Sequence, residues 1–184
     1  DESRELFIRL LASGPALLNV WEDIDFIAVP GKLIPEWLGV RNRPSASAAH
    51  RYTIDRHMVE VVTRLGRETP SGGRYDDRHY EALLLAGILH DIGKRPGVAD
   101  HAAVGARHAA VVVERMGFDR DIVRWVTLLV REHLTLSEFA TGRNPNDPNV
   151  GDDLAGRLDH DPGLLDMLFD LTRADGSSLG ATSG

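Results

Sequence analysis

The sequence predicts an all-α protein, and three observations predict it. Apolar residues recur at helical spacing in segment after segment, no stretch alternates apolar and polar residues cleanly enough for a strand, and Pro- and Gly-rich breaks separate the segments. No internal repeat is present.

The elements follow in order. Residues 2–12, ESRELFIRLLA, place Leu6, Ile8, Leu10 and Leu11 on a broad apolar side, and Ser13-Gly14-Pro15 stops them. Pro15 suits the first turn of a second helix through ALLNVWEDI, where its missing N–H costs nothing. Pro30, Gly31, Pro35 and Pro44 make 26–44 a loop-rich passage around a short turn at EWLGV. From Thr53 to Leu65 the residues Ile54, Met58, Val61, Val62 and Leu65 form a helical stripe, with Gly66 after it. SGGRYDD reads as a flexible connection, and YEALLLAGILHDIG as a helix apolar nearly all round, hence buried on most sides. Asp100 is a good N-cap for a helix running to Met116, and Asp119 opens RDIVRWVTLLVREHL. TGRNPNDPN reads as a loop, 162–174 as the last helix and GSSLGATSG as a trailing tail. Trp21, Trp37 and Trp125 lie among apolar neighbours and read as packing.

Composition narrows the chemistry. A chain of 184 residues suits one domain with a core that needs no disulfides. It contains no cysteine, so any metal must be held by histidine and carboxylate. A net charge of -7 argues against a nucleic-acid partner, because that affinity rests on neutralising phosphates with Lys and Arg. No apolar run approaches the roughly 20 residues that cross a bilayer, and the acidic start DESRELF is unlike a signal peptide. The expectation is a soluble, cytoplasmic protein with no membrane partner. A chain that opens at Asp1 without a methionine reads as an excised piece of something longer.

The stretch LHDIGK, 89–94, ends the most apolar segment with two groups that want water or a metal. Successive helix residues point about 100° apart, so an ion lodged beside the helix could touch both His90 and Asp91. His57 stands in the middle of an amphipathic segment, His101 in a first helical turn, His133 in a last turn and Asp175 at the end of the final helix. A lone histidine on such a helix is usually a hydrogen-bonded core residue, and an HD dipeptide is common by chance. The ordered set His57, His90-Asp91, His101, His133, Asp175 is not. Of the remaining histidines, His50 precedes a helix and suits a supporting role, whereas His108 lies on nearly the same face as His101 and is a rival ligand. His79 and His160 sit among charged residues and read as surface. Arg107 and Arg131 are either phosphate or protein contacts or simply solvated.

The order His, His-Asp, Asp resembles the HD superfamily of metal-dependent phosphohydrolases, with extra histidines like those of its two-metal members. More narrowly, RPSASAAHRYTIDRH (43–57), LLAGILHDIGK (84–94), DHAAVGARHA (100–109), VREHLTLSEFAT (130–141), DPNV (147–150) and LTRAD (171–175) resemble the bifunctional PII uridylyltransferase/uridylyl-removing enzymes. The resemblance implies an HD-domain helical bundle at 45–180 behind a helical lead-in and loop at 1–44. It also implies a nucleotidyltransferase domain before this piece and two ACT domains after it in the full-length protein, the transferase activity belonging to the former. The activity implied for the piece itself is that of a phosphodiesterase removing UMP, or AMP, from a tyrosine of the nitrogen-signalling protein PII. Gly176, Gly142 and Asn144 depart from the family pattern.

The residue chemistry fits a hydrolase. One divalent ion could take His57, His90, Asp91 and Asp175, and a second could share Asp91 as a bridge and take His101 and His133; Mg, Mn, Fe and Zn all suit such ligands. Lys94, one turn on, is placed either to meet a phosphoryl oxygen or to be solvated at a helix C-terminus. Asp91 and Lys94 are thus the candidate catalytic residues, and Lys94 and Arg131 the candidate substrate contacts. Two other readings stay open: an HD phosphohydrolase of a free nucleotide such as guanosine tetraphosphate, and a catalytically idle HD signalling module.

Overall fold

A computed structural model of the chain describes residues 1–46, 51–144 and 147–179. In chain order the elements are α1 (Glu2–Leu11), α2 (Ala16–Phe26), α3 (Val29–Leu33), a 3-10 turn (Pro35–Gly39), α4 (Ile54–Glu68) and α5 (Asp77–Leu89). They continue with α6 (His101–Arg115), α7 (Arg120–Glu132), α8 (Thr135–Gly142), α9 (Pro148–Arg157) and α10 (Pro162–Ser177). Among the described residues the only β-type pairing is an isolated antiparallel bridge between Pro44 and Thr53. The protein is an all-α bundle, as its periodicity predicts. No helix among the described residues is long and apolar enough to cross a membrane.

Aspartates start most of the helices. Asp76, Asp100, Asp119, Asp147 and Asp161 each accept backbone N–H bonds at the N-terminus of α5, α6, α7, α9 and α10, satisfying donors that have no partner within the helix. Their negative charge also suits the positive end of the helix dipole.

The core is built around α5. Leu83, Leu84, Leu85, Ile88 and Leu89 are fully buried, which accounts for a helix with almost no polar face. Against it pack Met58, Val62 and Leu65 of α4, Val126, Leu129 and Val130 of α7, and Leu164, Leu168 and Leu171 of α10. Leu11, Leu17, Trp21 and Trp37 of the N-terminal segment join the same apolar cluster. All three tryptophans are buried, in line with the packing role expected of them.

Several boundaries differ from those expected, each for a physical reason. Gly66 does not end α4, which continues to Glu68; a Cβ there would meet Gly14 N at 3.0 Å and Ala12 O at 3.2 Å, so glycine serves a close backbone approach. Because α4 starts at Ile54, His57 lies in its first turn rather than mid-helix. The passage 26–44 holds a short helix and a 3-10 turn, with Pro30 and Pro35 in their first turns, where proline is compatible with helix. The expected loop 141–149 is flanked by helices: α8 reaches Gly142, and Asp147-Pro148 acts as an N-cap and first residue that start α9. Pro145 and Asn146 of that loop, His50, and the tail from 180 onward lie outside the described residues. The helix expected at 162–174 runs on through Gly176 to Ser177.

Candidate metal centre

The apolar run of α5 stops at Leu89, leaving His90 as its C-cap, and Asp91 and Ile92 enter a turn that Gly93 completes. His90, Asp91, His57 and His133 are all buried, at no more than 3% exposure each, which is costly for such groups unless each has a partner.

Close backbone contact brings the partners in. A Cβ on Gly93 would lie 2.4 Å from both Gly105 N and His101 O, so only glycine lets the turn after Asp91 touch the first turns of α6. That contact sets His101 over Asp91, with His101 Nε2 3.4 Å from Asp91 Oδ1. Gly87 plays the same part on the other side, where a Cβ would press on the Leu65 and Val62 side chains of α4 at 2.8 and 3.0 Å.

Two adjacent groups result. His57, His90 and Asp175 form one, and Asp91, His101 and His133 the other; in each the ligand atoms all lie within 4.8 Å of one another, so each could hold a metal ion. In the first, His57 Nε2 is 2.7 Å and His90 Nε2 3.6 Å from Asp175 Oδ1. In the second, His133 Nε2 is 3.5 Å from Asp91 Oδ1. The other oxygen of Asp91, Oδ2, stands 3.8 Å from His90 Nε2 and 3.1 Å from Lys94 Nζ. Asp91 therefore faces one group with each oxygen.

The chemistry of this donor set fits divalent ions. Donors about 2.1 Å from a shared ion sit roughly 3.0–3.4 Å apart at octahedral or tetrahedral angles, close to most of the separations here. The rear nitrogens are already tied: His90 Nδ1 meets Gly87 O at 2.8 Å and His133 Nδ1 meets Val130 O at 2.7 Å. A carbonyl can only accept, so each Nδ1 carries the proton and each Nε2 is turned to the centre as a metal-ready lone pair when the ring is neutral. His57 Nδ1 likewise lies 3.3 Å from Ser178 O. The buried Nε2 atoms of His90 and His101 have no hydrogen-bond partner among the described residues, a costly arrangement that coordination would relieve.

The charges respond to one another. Burial pushes the Asp91 carboxyl up, but His90, His101, His133 and Lys94 outweigh it and hold the group well below the usual carboxylate range. Asp175 is held low in the same way, burial being outweighed by His57 and His90. For His90, burial disfavours the imidazolium, yet Asp91 and Asp175 prevail and raise it to about 9 in the absence of an ion.

Thus the structure brings together His57, His90, Asp91, His101, His133, Asp175 and Lys94. Arg131 is exposed at the edge of a neighbouring cleft that His101 also lines. His108 stands apart, among Glu36, Arg95 and Arg107, and is no rival ligand. His160 is exposed as expected, whereas His79 is half-buried, stacked on Trp125 at 4.2 Å and paired with Asp76 at 2.8 Å. Sequence reasoning missed Glu132, a buried carboxylate bonded to Thr135 and Arg157; its position between Arg131 and His133 was the available signal.

No protein-family model matches the chain. Individual relatives do. The chain is 35% identical over 180 residues to the bifunctional uridylyltransferase/uridylyl-removing enzyme of Mycobacterium tuberculosis, covering 98% of this chain and 22% of that protein. It is 38% identical over 180 residues to the enzyme of the same name from Streptomyces coelicolor, covering 97% and 21%. The corresponding protein of Caulobacter vibrioides is 34% identical over 186 residues, covering 95% and 19%. The chain spans about a fifth of the length of the curated relatives it matches. Taken with the all-α fold and the clustered histidines and aspartates, these matches mean that the chain belongs to the family of bifunctional uridylyltransferase/uridylyl-removing enzymes, as the counterpart of one segment of its members.

Proposed function

We propose that this chain is the HD phosphodiesterase portion of such an enzyme and removes a nucleotidyl group, UMP or AMP, from a tyrosine of PII. The observation that carries the reading is Asp91, buried and directing one oxygen at His101 and His133 and the other at His90 and Lys94. In this reading His57, His90, Asp91 and Asp175 would hold one divalent ion, and Asp91, His101 and His133 would hold a second. Such a pair supplies charge stabilisation for the phosphoryl oxygens and lowers the pKa of a water towards neutrality.

The chain's own residues do the rest. The carbonyls of Gly87 and Val130 hold His90 and His133 in the tautomer that presents Nε2. Lys94, kept beside Asp91 and partly exposed, meets a non-bridging phosphoryl oxygen as charge develops there. Water adds to phosphorus, the bond from phosphorus to the tyrosyl oxygen breaks, the proton that water gives up balances the one the phenolate oxygen takes, and the products are a nucleoside monophosphate and the unmodified tyrosine side chain of PII. A phenol has a pKa of about 10 against about 15.7 for water, so the tyrosyl oxygen leaves without a strong protein acid.

The names of the relatives support uridylyl removal, and their greater length leaves room for a transferase part elsewhere in the full protein. The test is mass spectrometry of PII carrying UMP or AMP, incubated with this chain and Mn or Mg. Loss of the nucleotide mass with the intact chain, and none with Asp91→Ala, is the expected result. Retention of both nucleotides by a metal-loaded chain would overturn the assignment. Equal loss with Asp91→Ala would remove Asp91 from the chemistry.

A further inference from the structure

Beside the metal centre lies a cleft of about 420 Å³, within the roughly 300–1,000 Å³ of small-molecule sites. His101 belongs to both, so a ligand filling the cleft lies against a residue of the centre. The opposite wall carries Arg131, Glu132, Thr135, Glu138 and Arg157.

Glu132 organises this wall. The residue is 7% exposed, and its carboxylate accepts the Thr135 hydroxyl at 2.6 Å and Arg157 Nη1 at 3.3 Å and lies 3.7 Å from Arg131 Nε. Asp153 accepts Arg157 Nε at 3.1 Å. A guanidinium has five N–H donors, and these contacts engage two of them in Arg157. Phe139 fixes the plane further, with the Arg157 guanidinium 5.5 Å from its ring centre.

The charge count decides what such a cleft takes. Two guanidiniums stand against the carboxylates of Asp100, Glu132 and Glu138, so the wall has no positive excess and makes a poor phosphate site. It offers closely spaced donors and acceptors above the small side chains Ala102 and Ala103, which suits a neutral, hydroxyl-rich, partly flat group.

Resting on the phosphodiesterase reading above, we propose that this cleft receives the nucleoside half of the substrate, with Arg157 as the specificity-determining contact and Glu132 as the residue that positions it. The phosphoryl group then lies at His101 and Asp91, and the tyrosyl side faces away from α9.

The test uses this chain loaded with Mn and two chromogenic esters: the nitrophenyl ester of UMP, and bis-nitrophenyl phosphate, which has no nucleoside. Calorimetric titration with UMP gives a second readout independent of turnover. The intact chain should favour the UMP ester in kcat/KM. Arg157→Ala should lower the ratio of the two kcat/KM values about tenfold, mainly through KM, and weaken UMP binding by a similar factor, as loss of a charge-assisted hydrogen bond does. Glu132→Gln keeps the shape but loosens the guanidinium, and should move the same ratio part of the way. If Arg157 and Glu132 only clamped α9 to α7, both variants would lower the melting temperature and leave the ratio and UMP affinity alone; that result overturns the proposal. Failure of a metal-loaded chain to cleave either ester would sink the phosphodiesterase reading instead. The UMP titration would then decide the cleft by itself, and UMP affinity equal in the intact chain and Arg157→Ala would reject it.

Discussion

The wall of the metal centre and the wall of the neighbouring cleft meet at His101 but are held by different forces. On the metal side, Ile88, Leu89 and Ile92 are fully buried, two imidazoles are anchored to backbone carbonyls, and the Asp91 turn touches α6 backbone to backbone. On the cleft side, α9 buries no residue at all and α8 buries only Thr135. What ties α9 down is partly buried Leu154 against the core and two ion pairs that reach outside the helix, Arg157 with Glu132 of α7 and Arg143 with Asp153. Ligands for an ion must stay fixed to a few tenths of an ångström, and only packed backbone gives that fixity. A substrate wall tolerates movement, and ion pairs near solvent supply it cheaply.

The sharpest way to break this contrast is Gly93→Ala. The added methyl would meet two backbone atoms, not flexible side chains, so the cost should lie near the upper end of overpacking, about 3 kcal/mol. Urea denaturation should show it as a lower midpoint, and metal titration as a lost site at Asp91, His101 and His133. A wild-type midpoint would mean that the Gly93–Gly105 contact is not what holds the site.

A middling effect comes from pH. His90 is raised in the folded, metal-free chain to about 9 from an ordinary 6.5, so its contribution to stability is complete below about pH 6.5 and lost as pH climbs towards 9. Thermal melts in chelator should decline over that window. Metal affinity should rise over the same window, because an ion must displace the His90 proton. A flat melting temperature between pH 6.5 and 9 in chelator would show that Asp91 and Asp175 do not hold that proton.

The smallest effect is expected on the cleft side. Asp153→Ala removes partners of Arg143 and Arg157 at 2.8 and 3.1 Å, yet should shift the melting temperature by less than about 2 °C, since exposed pairs contribute little. A drop as large as that of Gly93→Ala would erase the distinction between the walls.

Legibility from sequence follows the same division. Apolar spacing made α1, α4 and α5 readable, since burial of a stripe leaves its spacing in the chain, and the capping aspartates Asp100 and Asp119 made α6 and α7 so. The candidate ligands were readable because each interrupts or borders an apolar run. Helices α3, α8 and α9 were not, because Pro, Gly and Asn mark turns and helix starts alike, and Asp147-Pro148 turned out to be a start. Glu132 escaped notice because a charged residue next to Arg131 looks solvated until α9 closes over it.

By itself, then, the sequence determined the all-α class, the buried α5 and the roster of imidazoles and carboxylates, all of which depend on local spacing and composition. Only the tertiary structure decided that those groups form two clusters with Asp91 between them, and that Arg157 reaches Glu132 across 25 positions. Such distances depend on how closely helix backbones approach. Here the contacts at Gly66, Gly87 and Gly93 set that approach, and no periodicity records it.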